Sequence, residues 1–366
     1  MNGVASLEVP SVRVQRTAMK NTAIFLLSAT WLIGCNRGDT LAAAYVDYAE
    51  FLAESSPVSE PFQIKNAALP SPKVSRLVEP DIRISLGDVV SWSDCQWGGL
   101  LFERTGGMGK VMPATREWVH GARLVTALQR CAEQHKDEEE SFEKLMSLAE
   151  RKSLSNAVHW WNMLWGSPEW QTFLLTNARG FLRQELLEGE GLGAMDDLDE
   201  LLAWNVSLDY DLAIGRLEHA LGALRRSRLG YKWVQGATMT LHALEWIRAN
   251  HLAVVGADVS DDRCHQLNRA FHKYFLRGVL LPTTSMVQVG NRLDEQSARF
   301  LKRSLAQEEV WEQLQPQARA FISSRGWAPS APEGTTMSAR IGKAVKDHVQ
   351  EWTRISKVCG FELALE

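Results

Sequence analysis

Near the end of the chain, Ile341, Val345, His348, Trp352, Ile355 and Cys359 recur at steps of three and four residues. An α-helix, with 3.6 residues per turn, gathers such positions on one face, whereas a strand would scatter them over two. Gly121, Leu124, Val125, Leu128 and Cys131 show the same spacing. No stretch of useful length alternates apolar and polar residues with a period of two. The fold class expected is therefore all-α, an irregular helical bundle. A further helix is predicted from Met195 to Gly230. Asp196, Asp197, Asp199 and Glu200 crowd its start and Arg225, Arg226 and Arg228 its end, so both ends complement the helix dipole. Leu198, Leu201, Leu202, Ile214, Leu217, Leu221 and Leu224 supply its apolar face, and Gly230 reads as its stop.

Towards the N-terminus, Leu41, Tyr45, Tyr48 and Leu52 predict a helix capped by Thr40 and running to Glu54. Pro57, Pro61, Pro70, Pro72 and Pro80 then exclude helix and predict an extended proline-rich linker on the surface. Residues 40–80 thus read as helix plus linker, and residues 81–366 as the α-helical domain. The chain beyond residue 34 exceeds the usual size of a single core. Two helical lobes with a joint near residues 189–193, where Gly189, Gly191 and Gly193 fall, stand beside a single elongated bundle. No internal repeat of solenoid length is visible.

Ahead of these elements lies an apolar run of eleven residues, Ala23 to Ile33, well short of the ~20 that cross a bilayer as a helix. It follows Met19-Lys20-Asn21 and ends in Leu32-Ile33-Gly34-Cys35. A cationic start, a short apolar core and a small residue before the cut make a secretory signal. With cysteine directly after the cut, the pattern resembles a bacterial lipobox, in which the thiol is diacylated, the chain is cut before it and the new amine is acylated. Residues 1–34 are expected to be removed, with Met19 as the true start. Residues 35–39 form a tether lipidated at Cys35, firmly held because each buried methylene contributes ~0.8 kcal/mol. Asn36 after the cysteine, in place of an inner-membrane-retaining aspartate, favours the outer membrane. The location expected is the periplasmic side of the outer membrane.

The formal charge is −4. Residues 1–34 carry Arg13, Arg16 and Lys20 against Glu8, a net +2, so the remainder carries −6. Mild acidity argues against a nucleic-acid partner, which needs a basic face. Four cysteines remain besides Cys35: Cys95, Cys131, Cys264 and Cys359. They allow three pairings. Their order along the chain, and the inward placing of Cys131 and Cys359 on helical stripes, favour Cys95–Cys131 and Cys264–Cys359. The spacings offer no pair of close cysteines of the kind a zinc site uses, so no metal and no cofactor is expected.

The most site-like segment is Glu103-Arg104-Thr105-Gly106-Gly107-Met108-Gly109-Lys110. Gly106, Gly107 and Gly109 can present backbone N–H groups to an anion, with charge from Arg104 and Lys110. A phosphate-binding loop, however, needs Ser or Thr after its lysine, and Val111 follows Lys110. The simpler reading is a glycine-rich turn between two helices. Trp160, Trp161, Trp165 and Trp170 suit either stacking on sugar rings or packing in a core, and core is the first use of large aromatics. Asp258 to Asp262 suggests calcium but lacks the loop glycine and closing glutamate. Neither a nucleophile elbow nor a His-Glu-x-x-His motif occurs, so no catalytic residue is assigned.

The run Cys95, Leu100-Leu101-Phe102-Glu103-Arg104, Met108-Gly109-Lys110-Val111-Met112 and Cys131 resembles a family of proteobacterial lipoproteins, domain-of-unknown-function family 3080. That pattern is Cys, Glu-Arg-Asn-Ser, Leu-Gly-Lys-Val and a second Cys. Thr105-Gly106-Gly107 departs from the Asn-Ser stretch, so no role carries over to those side chains. The resemblance implies a helical fold, paired cysteines and an envelope location, and no activity.

The function expected is non-catalytic: a lipid-anchored, periplasm-facing binding or scaffolding helper. It touches the membrane through its anchor, and its partners are envelope proteins or cell-wall glycan. The competing class is an envelope enzyme acting on cell-wall glycan or lipid through Glu103 and Arg104. An open cleft with a second carboxylate would favour the enzyme, and a closed turn pinned by these residues would remove it.

Overall fold

The first apolar stripe, Leu41, Tyr45, Tyr48 and Leu52, is buried on one side of α1 (Leu41–Ala53). The computed structural model describes residues 41–54, 61–64, 76–107, 109–175, 190–203, 209–304, 311–312, 314, 316–328, 331–332 and 334–363. The expected signal, Cys35 and the tether lie outside them. After α1 come α2 (Leu86–Ser91), α3 (Trp97–Thr105), a 3₁₀ turn (Gly109–Val111), α4 (Ala114–Gln134), α5 (Glu139–Leu164) and α6 (Pro168–Leu175). The chain continues through α7 (Glu190–Ala203), α8 (Tyr210–Ser227), α9 (Leu229–Ile247), α10 (Asp261–Arg269), α11 (Leu281–Ser304), α12 (Pro316–Ser324) and α13 (Met337–Cys359). The fold is all-α, with no strand among the described residues. None of the described helices is long and apolar enough to cross a membrane.

Residues 40–366 form one compact unit. Within it, a large core joins α1, α5, α6 and α7 to α13, and a smaller core of Trp92, Trp97, Leu124, Leu128 and Leu145 surrounds the Cys95–Cys131 bridge. Residues 190–193, expected as a joint between lobes, are the first turn of α7, and Gly191 sits against Ser227 and Leu229. Gly189 lies outside the described residues. Residues 81–85, expected inside the helical domain, are non-helical, as are residues 61–64 and 76–80 of the proline-rich linker. Asn162 fastens the latter stretch to α5, accepting from the Leu77 N–H at 2.7 Å and donating to its carbonyl at 3.0 Å.

The single helix expected from Met195 to Gly230 is two helices. Asp209 caps α8, its carboxylate accepting from the Leu212 N–H at 2.9 Å. The acidic cluster therefore belongs to α7, while Arg225 and Arg226 end α8. Nor is Gly230 the stop: Arg228, in the left-handed region at φ 50°, ends α8. Gly230 lies inside α9, where an added Cβ would come 2.7 Å from the Phe173 ring, so this glycine serves helix approach.

The stripe read near the C-terminus is α13, with Ile341, His348, Trp352 and Ile355 buried. It closes onto α1 through Tyr48, whose hydroxyl lies 3.0 Å from His348 Nε2 and accepts from Trp352 Nε1 at 2.9 Å. Burial pushes His348 down to about 3, so its ring is neutral. Two stretches are wound as π-helix, Arg248–Leu252 after α9 and Ala270–Leu280 between α10 and α11. The second runs directly into α11 at Leu281, and Pro282, which has no N–H to give, stands at that change of winding.

Candidate functional site

The glycine-rich segment is a closed turn. α3 ends with the Gly106 N–H bonded to the Phe102 carbonyl at 3.0 Å. Arg104 folds over the 3₁₀ turn, donating to the Gly109 carbonyl at 2.5 Å and to Glu117 Oε1 of α4 at 3.1 Å. A Cβ on Gly109 would lie 2.2 Å from the Arg104 carbonyl oxygen, which is why glycine stands there. Gly107 is exposed with open space around it. Met108 and the Lys110 side chain lie outside the described residues.

Glu103 points the other way. It is exposed, with Oε2 4.0 Å from both His120 Nε2 and Arg123 Nη1. His120 has its Nε2 2.9 Å from the Leu100 carbonyl, and burial lowers its pKa. Arg123 stacks on the Tyr210 ring, 4.4 Å from its centroid. The groove beside Glu103 holds about 250 Å³, and Arg123 and Arg130 line it with no second carboxylate among its described lining residues. Arg104 is thus committed to the turn, and Glu103 faces cations.

Both cysteine pairs are joined. Cys95–Cys131 has a Cα separation of 5.6 Å and closes the open end of the α3–α4 hairpin, opposite the turn that Arg104 pins. Cys264–Cys359, at 5.3 Å, ties α10 to the end of α13. The tryptophans form core. Trp160, Trp161, Trp165 and Trp170 are all exposed by 1 % or less. Trp161 stacks on Trp165 at 5.4 Å, and Trp165 meets Trp170 edge-on at 5.2 Å. With both ring faces covered, these indoles offer no platform for sugar.

A groove that the sequence did not announce lies beside the second disulfide. It holds about 650 Å³ and is walled by the first π-stretch, the loop 253–260 and α10. Ser260, inside the calcium-like run from Asp258 to Asp262, caps α10 with Asp261 and Asp262 in its first turn. From α13, Arg354 fixes the loop, donating to the carbonyls of Leu252 and Val255 at 2.7 Å each. From α10, Arg263 donates to the Leu52 carbonyl at 3.2 Å and to Gln266 Oε1 at 2.6 Å, and Gln266 donates to the Phe51 carbonyl at 3.0 Å. These two side chains satisfy carbonyls that the last turn of α1 leaves open. Among the described residues no carboxylate pairs with the Arg263 guanidinium, and burial lowers its pKa.

His251 lines this groove. It is fully buried, and neither ring nitrogen has a hydrogen-bond partner among the described residues. Burial, with the charge of Arg263, holds its pKa down to about 4, so the ring is neutral near pH 7. Asp258 and Asp262 stand exposed at the rim. A π-turn displaces side chains from the register that 3.6-periodicity predicts, so no spacing rule marks His251. Nearby, the sequence offered only the calcium-like run from Asp258 to Asp262 and Cys264.

Fold and sites together define an all-α protein, stapled twice by disulfides, with a polar groove and no described catalytic constellation. It belongs to the family described as Protein of unknown function (DUF3080), whose model matches residues 47–363. No curated protein and no solved structure matches the chain.

Proposed function

We propose that this chain is a lipid-anchored, periplasm-facing envelope protein whose work is binding, and that its ligand seats in the groove at His251. The observation that carries the binding role is the state of that histidine. A neutral imidazole presents one donor and one acceptor. Leaving each buried without a partner costs roughly 1–3 kcal/mol, and a ligand towards which the ring turns out into the groove recovers that cost by supplying partners. Arg263 adds a half-buried positive charge, and Asp258 and Asp262 add negative charge at the rim. The location is supported by the lipobox at Cys35 and by two disulfides, which suit an oxidising compartment. Envelope proteins and cell-wall glycan are the partners such a location offers. The enzymatic alternative through Glu103 and Arg104 loses its footing in a turn that Arg104 closes.

The test compares wild type with His251→Phe. Removing two unpartnered nitrogens should raise stability by roughly 1–3 kcal/mol, the larger phenyl ring offsetting part of the gain. Pull-down of the lipidated protein from envelope extracts should retain a partner or glycan fragment that the variant loses. Equal retention by both proteins would overturn the groove assignment. Cys35→Ser should leave the chain unlipidated, and mass spectrometry finding an unmodified Cys35 in wild-type envelopes would overturn the anchor.

A further inference from the structure

We propose that Cys95, Cys131 and His135 form a zinc site when the Cys95–Cys131 bond is reduced. The two sulfurs and a ring nitrogen of His135 all lie within 4.8 Å of one another. Cys131 and His135 are four residues apart at the end of α4, so both reach the same side. Cys95 arrives from the loop before α3, with its α-carbon 5.6 Å from that of Cys131. Zinc takes thiolate at about 2.3 Å and imidazole at about 2.0–2.1 Å in a tetrahedron, which places ligand atoms about 3.5–3.8 Å apart. Rotation of three side chains on a fixed backbone is the scale of change needed.

The surroundings of His135 favour metal over a bystander role. Its Nε2 is buried and makes no hydrogen bond among the described residues, although Asp94 Oδ2 stands 3.3 Å away. Glu138 Oε2 lies 3.4 Å from Nδ1. A carboxylate on the nitrogen that does not bind metal orients a ligating imidazole, and the carboxylate beside the other nitrogen can complete the fourth position. Two thiolates and a neutral imidazole also balance the charge of Zn²⁺. The Cys264–Cys359 bridge has no such histidine among the described residues. Every molecule holds these cysteines as thiols before its bridges form, so the reduced state is one each chain passes through. Zinc would then hold the α3–α4 hairpin closed in place of the bond.

The chemistry is balanced with a named reductant. A phosphine and water break the S–S bond to give two thiols and the phosphine oxide. Two electrons pass from phosphorus to sulfur, and water supplies both protons and the oxygen. Zinc then displaces the two thiol protons. In the test, the full chain is reduced with tris(2-carboxyethyl)phosphine, freed of excess reagent and titrated with zinc against a chromophoric chelator. One zinc per chain is expected. Zinc should protect Cys95 and Cys131 from iodoacetamide while Cys264 and Cys359 react at an unchanged rate. His135→Ala should weaken binding by at least roughly tenfold. A reduced chain that binds no zinc, equal protection of all four cysteines, or unchanged affinity in His135→Ala overturns the site. Because the protection assay uses wild-type protein, it stands even where the variant misfolds.

Discussion

Trp327 donates its indole N–H to Oδ1 of Asp294 at 2.7 Å, inside the core. The other carboxylate oxygen accepts from the Ser338 N–H at 3.2 Å and from the Ser338 hydroxyl. One side chain of α11 thereby fixes the start of α13 and the loop after α12. Burial raises the Asp294 pKa, while these hydrogen bonds pull against that rise. Asp294→Ala strands three buried donors and should lower unfolding free energy by about 3 kcal/mol. Urea denaturation with an unchanged m-value and a lower midpoint is the expected readout.

Glu79 gives the protein an acid-sensitive contact. His159 Nε2, 3.2 Å from Oε2, holds its carboxyl down to about 2 against the opposing effect of burial, and the Ser155 hydroxyl, donating to Oε1 at 2.7 Å, assists. A carboxylate with a depressed folded pKa stabilises above its unfolded value, here near 4.5, and that contribution fades as pH falls towards 2. Glu79→Gln should therefore be less stable than wild type at pH 6, with the gap closing towards pH 2. Denaturation curves at several pH values measure the gap, and a gap that widens in acid contradicts the assignment.

Two glycines should respond to alanine with opposite signs. A Cβ on Gly290 of α11 would sit 2.2 Å from the buried Trp233 ring, which is itself held by its N–H to the Met286 carbonyl at 2.8 Å. Gly290→Ala should cost about 3 kcal/mol or more. Gly215 lies mid-helix in α8 with nothing within 4 Å of its added Cβ. Gly215→Ala should gain roughly 0.5–1 kcal/mol from helix propensity. Thermal unfolding of the two variants side by side checks both signs.

The bridges should differ modestly in worth. Their sequence separations are 36 and 95 residues, for which loop entropy gives about 4 and about 5 kcal/mol as upper figures. Replacing either pair with serines should cost roughly 2–5 kcal/mol, with the longer loop losing more. A Cys264→Ser/Cys359→Ser protein as stable as wild type would refute this.

What the sequence disclosed was local. The α13 stripe and the α1 stripe each repeat over several turns, so 3.6-periodicity finds them without knowing their neighbours. The cysteine pairing followed because two of the four sulfurs ride on such stripes. Periodicity could not see the break at Asp209, since leucines at helical spacing continue on both sides. Gly230 misled because a glycine that stops a helix and one that lets Phe173 approach are identical on paper. His251, Asp294 and Arg263 owe their state to desolvation by residues distant in sequence, and His135 matters only once Cys95 is beside it.

The Tyr48 contact has a temporal side. Its partners His348 and Trp352 lie 300 and 304 residues further along the chain. A ribosome adding about 5–20 residues per second takes roughly 15–60 s to reach them. Throughout that interval Tyr48 lacks both of them, and even the Thr283 hydroxyl that meets Tyr45 comes 238 residues after it, so α1 waits long for its full seat. The waiting helix is the natural handhold for a chaperone, and a chain cut short before residue 348 never supplies the two side chains that hold the Tyr48 hydroxyl.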